Sequence, residues 1–172
     1  MSRRTRICGL WATMLAVALL AVPTAASAAT TTVSAGNGFR ASLTEDYAFL
    51  GCSVPVDPNA FDTCGTADTN RGAASLTTVI TRFDFIGVDA GRFCFADSHT
   101  TVLTFDRNNP GTVSFDISGT LCATDGSHFT FSGMYEVTGG TDKYKSARGS
   151  GEVSAARQGG PIEAQLTGSL HN

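Results

Sequence analysis

The sequence predicts an all-β protein, an antiparallel meander closed into a barrel of about eight strands, with a two-sheet sandwich as the alternative. Three observations carry this. From Leu76 onward, Thr, Val, Phe and Ile alternate with polar residues at a period of two rather than 3.6. Gly, Asp, Asn and Pro punctuate these runs at short intervals. No amphipathic helix is long enough to cover the apolar face the strands create.

The first segment reads as a secretory signal peptide over residues 1–28. Arg3, Arg4 and Arg6 form a positive start, Leu10 to Val22 an apolar core, and Ala26-Ser27-Ala28 a cleavage site. Arg6 stands where a twin-arginine signal wants an apolar residue, which favours general secretion. Cys8 precedes the apolar core and so does not fit a lipoprotein signal. Cleavage leaves 144 of the 172 residues, one domain (29–172) with length enough for a core. That domain keeps nine basic against fifteen acidic residues, a net charge of −6, which argues against nucleic acid and anionic membranes as partners. It contains no further apolar run long enough to span a bilayer.

Cys52, Cys64, Cys94 and Cys122 remain. An even number in an exported chain points to two disulfides. Zinc is the rival reading, but the intervals of 11, 29 and 27 residues contain no C-x-x-C pair. The expected bridges are Cys52–Cys64, closing the loop "CSVPVDPNAFDTCGTADTNRG", and Cys94–Cys122, crossing one hairpin. The Pro- and Asp-rich loop is an insertion or lid candidate.

Gly38 to Leu50 supplies one or two strands, followed by strands at about 76–86, 91–105, 111–123, 127–138, 150–157 and 162–170. A hairpin around "DRNNP" sets Phe105 opposite Gly111, Leu103 opposite Val113, Thr101 opposite Phe115 and Cys94 opposite Cys122. A three-residue loop "TDG" at 124–126 then pairs Leu121 with Phe129, Gly119 with Phe131, Ile117 with Gly133, Phe115 with Tyr135 and Val113 with Val137. Phe85 is expected near Phe93. In this register odd-numbered residues form one apolar face, and Ser114, Asp116, Ser118, Thr120, His128 and Thr130 fall on the polar one.

The stretch "YEVTGGTDKYKSARGSGEV", Tyr135 to Val153, carries no G-x-x-x-x-G-K-[ST] pattern and no long helix after it, so it is not a phosphate loop. It reads as a corner: Gly139 and Gly140 end one strand, "TDKYKSA" makes a short helical turn, and Gly149 leads into the next strand. The same residues resemble the corner V-x-G-G-T-G-x-[F/Y]-x-x-A-x-G of the allene oxide cyclase and dirigent-like barrel superfamily. Val137, Gly139, Gly140, Thr141, Tyr144, Ala147 and Gly149 match, while Asp142 stands where that family usually has glycine. The resemblance covers about twenty residues, extended loosely to 75–170 by strand spacing. It implies an eight-stranded, calycin-like barrel with an apolar interior. It carries over no catalytic residue, since that superfamily includes cyclases of fatty-acid epoxides, proteins that steer phenoxy-radical coupling and secreted bacterial barrels.

The odd face also holds polar residues. Asp97 lies across from Gly119, His99 across from Ile117, and Thr101 and Tyr135 in the next row. Together they are the candidate polar groups of an apolar cavity walled by Phe83, Phe95, Phe115, Phe129 and Phe131. The competing reading is a β-bulge in "ADSH" that turns Asp97 and His99 to solvent. No G-x-S-x-G setting and no H-E-x-x-H spacing occurs, so neither a hydrolase triad nor a catalytic metal is indicated, and no cofactor is implied. Three functions remain open: a secreted barrel that binds a small apolar or amphipathic molecule, an enzyme of the cyclase or isomerase kind, and a structural barrel filled by phenylalanine.

Overall fold

The computed structural model describes residues 38–47, 50, 52, 61–106 and 110–172. The expected signal peptide and residues 53–60 of the lid candidate lie outside them. Eight strands run β1 Gly38–Tyr47, β2 Thr63–Thr69, β3 Gly72–Asp89, β4 Arg92–Phe105, β5 Gly111–Asp125, β6 His128–Gly140, β7 Ser150–Gln158 and β8 Ile162–Ser169. Each pairs antiparallel with the next, and β8 returns to β1, so the sheet closes into a barrel in chain order. Closure removes both edges and gives the apolar face an inside. The sandwich alternative is set aside.

β2 is an addition to the sequence reading, in which Thr63–Thr69 belonged to the long loop. Its segment "TCGTADT" offers little side-chain volume to mark a strand, because the inward positions are Thr63, Gly65, Ala67 and Thr69. Gly65 is required there, since a Cβ would collide with the Thr44 carbonyl oxygen of β1.

The β4–β5 register matches the expected one throughout, from Phe105 opposite Gly111 to Cys94 opposite Cys122. Both disulfides form as expected, Cys52–Cys64 and Cys94–Cys122. The β5–β6 register is corrected by two residues over most of its length: Leu121 faces Phe131, Gly119 faces Gly133, Ile117 faces Tyr135 and Phe115 faces Val137, and a further shift at Ser114 sets Val113 opposite Gly140 rather than Val137. The turn is two residues, Gly126-Ser127, with a bulge at Thr124, not a three-residue loop. Because the slip is even, odd residues still point inward. On β3 the register shifts between Ile80 and Arg82 and again between Phe85 and Gly87. Phe85 therefore faces Phe95, and Val88 takes the place opposite Phe93 that Phe85 was expected to hold.

One end of the barrel is packed shut. Phe39, Phe115 and Tyr135 meet with ring centroids 5.5–6.4 Å apart. The corner supplies the cap: Asp142–Tyr144 form a single 3-10 turn that buries Tyr144 completely, 5.2 Å from the Phe105 ring. Interior glycines make room for the large rings. Gly119 and Gly133, opposite one another, lie under Phe131, whose Cζ would be 2.7 and 2.8 Å from a Cβ at either position. At the other end β3 runs past β2, and Phe83, Phe85, Ile86 and Val88 of β3 and Phe93 of β4 are exposed.

Candidate functional site

The open half of the barrel encloses a cavity of about 340 Å³. Leu43, Ile117, Val153 and Leu166 line its lower part, towards the packed end. Phe95, Phe129 and Phe131 form much of the wall, and Tyr47, Phe61, Phe83 and Phe93 stand round the mouth. Phe83 stacks on Phe95 at 4.4 Å, and Phe61 and Phe85 approach this pair at 6.4 and 5.7 Å. The interior is thus filled with aromatic rings at one end and open at the other.

The buried polar side chains in this cavity come from four consecutive strands. On β1, the alternation Phe39, Ala41, Leu43, Glu45 points every second residue inward and carries Glu45 into the interior, 8% exposed. Its Oε2 accepts hydrogen bonds from Thr63 Oγ1 of β2 and, at 3.0 Å, from Thr78 Oγ1 of β3. Thr78 is in turn 2.9 Å from Thr101 Oγ1 of β4. Since the Thr78 proton serves Glu45, Thr101 is the donor in that bond. Two residues along β4, His99 places Nδ1 3.3 Å from Asp97 Oδ1, and its ring lies 5.5 Å from that of Phe131.

Burial raises the Glu45 carboxyl above its ordinary range, because an apolar surrounding penalises the charged form. The Thr63 and Thr78 hydroxyls, and the electrostatic influence of His99, pull in the opposite direction without cancelling it. Burial thus favours its protonated form, and when ionised it binds a cation or a hydrogen-bond donor strongly.

The bulge anticipated as an alternative for "ADSH" falls on the other strand. Extra residues enter β3 at Thr81 and Ile86, while β4 stays regular through Asp97 and His99. Both side chains consequently remain inside, 4% and 14% exposed. Asp97 faces Gly119 and His99 faces Ile117, as expected. Gly133 joins the row of Asp97 rather than that of His99, a consequence of the two-residue shift.

Of the candidate residues, Asp97, His99, Thr101, Phe83, Phe95, Phe129 and Phe131 line the cavity. Phe115 and Tyr135 do not: they pack into the closed end, where Tyr135 donates to the Ser169 carbonyl at 3.2 Å and burial pushes its phenol up to about 12. Gly139, Gly140 and Gly149 stand at the corner, away from the cavity. Sequence analysis misses Glu45, Thr63 and Thr78. The available signal was the inward parity of Glu45 in "GFRASLTEDY", where a charged residue breaks an otherwise apolar row.

No family model, no curated protein and no solved structure matches the chain.

Proposed function

We propose that this chain is a secreted, disulfide-stabilised barrel that binds a small apolar or amphipathic molecule in the open half of its interior. The observation that carries the reading is the cavity: about 340 Å³ of space, walled by phenylalanine and furnished with a few convergent polar groups. Pockets that take small molecules have this character, with apolar burial providing affinity and sparse polar contacts fixing orientation. Two disulfides favour an oxidising compartment, in keeping with export.

An enzyme of the cyclase or isomerase kind is the second reading. A buried carboxyl held above its usual range, with a His–Asp pair nearby, supports it as an acid–base set. The corner motif, with its likeness to allene oxide cyclase and dirigent-like barrels, supports the same direction.

Native mass spectrometry of the protein purified from its own secreting culture tests the binding reading. The expected result is a mass above that of the mature chain, lost on solvent extraction, together with saturable uptake of the neutral dye N-phenyl-1-naphthylamine by the extracted protein. A bare chain that takes up no dye overturns it. Incubating the extracted molecule with fresh protein separates the two readings: a binder returns it unchanged, and an enzyme returns an isomer.

A further inference from the structure

We infer that the molecule this cavity selects carries a protonated amine, seated with its nitrogen at Glu45 and its apolar body against the phenylalanine wall. This rests on the small-molecule reading of the same cavity and adds the chemical class of the ligand.

The argument is a count of donors and acceptors. Thr63 and Thr78 each have one hydroxyl proton, and both are given to Glu45 Oε2. Thr101 gives its proton to Thr78. A neutral His99 donates from Nδ1 to Asp97, which leaves Nε2 as an acceptor. Among the described residues, Glu45 Oε1 accepts no hydrogen bond. With Glu45 ionised, the polar patch therefore offers a ligand acceptors only, and the complementary group is a donor.

Charge points the same way. Glu45, Asp97 and Asp125 line the cavity, while among the described residues no lysine or arginine does so and the one base there, His99, is held by Asp97. Arg157, on the inward face of β7, lies over the Tyr47 ring at 4.6 Å and pairs with Asp46 at 3.5 Å. A carboxylate-headed ligand would place a second anion beside Glu45 in a medium that screens poorly. An ammonium instead supplies the counter-charge that burial denies Glu45, keeps its proton against a carboxylate, and gains from the faces of the aromatic rings on its path.

The test uses three probes with one tail and different heads: octylamine, 2-octanone and octanoate, titrated by calorimetry near neutral pH. Octylamine is expected to bind at least about tenfold more tightly than either of the others, a margin set by one charge-assisted hydrogen bond. Glu45→Gln is expected to shrink the preference over 2-octanone to within about threefold. Equal or tighter binding of 2-octanone would show Glu45 acting as a neutral donor and overturn the inference. A preference for octanoate would also overturn it, and would move the polar end to Arg157, whose Nε and Nη1 are buried without partners among the described residues. If the dye binds and octylamine does not, the amine inference fails and the apolar-cavity reading stands. If neither dye nor any probe binds, both fail. The wild-type series decides the matter even should the variant fold poorly.

Discussion

The carboxylate of Glu45 on β1 and the hydroxyl of Thr78 on β3 are joined by a 3.0 Å hydrogen bond across the width of β2. The strand between them is built from small residues and adds Thr63 to the same oxygen. Both hydroxyls serve Oε2 and, among the described residues, no salt bridge reaches the carboxyl, so Glu45 stays available to titrate.

This gives a pH prediction of defined sign. Burial raises the folded-state pKa of Glu45 above its ordinary 4.5, so between those values the folded chain holds a proton that the unfolded chain has released. Stability from this group is fully present below 4.5 and is lost as pH rises through the raised value. Glu45→Gln, which cannot ionise, should lack this loss. Melting temperatures at pH 4 and pH 8 should therefore fall more steeply for the wild type than for the variant. Parallel profiles would mean that Glu45 titrates normally.

The corner makes a different prediction, resting on backbone geometry. Asp142, at the position where similar corners carry glycine, has φ +52, and Gly139 has φ +138. Asp142→Gly should lie within about 1 kcal/mol of wild type, because relief of left-handed strain is offset by the extra freedom of the unfolded glycine chain. Asp142→Val should cost about 1–2 kcal/mol, since a β-branched residue tolerates that region poorly. Gly140→Ala should cost at least about 2 kcal/mol for a separate reason, which is overpacking. Its Cβ would strike the Thr112 carbonyl and come within 2.9 Å of Tyr144, the residue that caps the barrel. Denaturant melts rank the three.

How much of this was legible depended on which quantity the sequence repeats. Inward and outward parity has a period of two, so the alternation along β4, β5 and β6 sorted faces correctly even where partners were displaced, as with Phe131 against Leu121 instead of Gly119. A slip of two leaves every face unchanged, and only the turn chemistry at Gly126-Ser127 distinguishes the registers. The β4–β5 pairing carried an independent check, because Cys94 and Cys122 fall opposite one another only in the correct register. β2 and the bulges on β3 had no such signal: Gly65 and Ala67 look like loop residues until β1 and β3 pack on either side. Likewise, which half of the barrel is filled depends on how rings from distant strands meet, as Phe39, Phe115 and Tyr135 do.

The two disulfides should differ in what they protect. Their loops span 12 and 28 residues, for which a chain-entropy account gives about 3 and about 3.5 kcal/mol. Cys94–Cys122 ties together two strands already in register, so Cys94→Ala/Cys122→Ala should lower stability and leave dye affinity in the refolded protein unchanged. Cys52–Cys64 anchors the residue beside Thr63, a hydroxyl donor to Glu45. Cys52→Ala/Cys64→Ala should lower stability and also weaken dye binding. Equal binding losses in both variants would separate the bridge from the cavity.

Phe115 and Phe131 both point inward and are both buried, at 0% and 5% exposed, yet they stand on opposite sides of the boundary between packed core and cavity. Phe115 has aromatic neighbours on two sides, Phe39 at 5.6 Å and Tyr135 at 5.5 Å. Truncation there leaves a void inside close packing, so Phe115→Ala should cost about 3–5 kcal/mol. Phe131 rests on the Gly119–Gly133 pair and turns its other face to existing empty space. Fewer contacts are lost and the space joins a cavity already present, so Phe131→Ala should cost less, about 2–3 kcal/mol. Its larger effect should be on selection, admitting ligands with a bulkier apolar body, while Phe115→Ala leaves the size limit where it was. Urea melts and a series of dyes of increasing size read the two effects separately. A greater stability loss at Phe131 than at Phe115 would mean that the half of the barrel assigned to ligand is packed core.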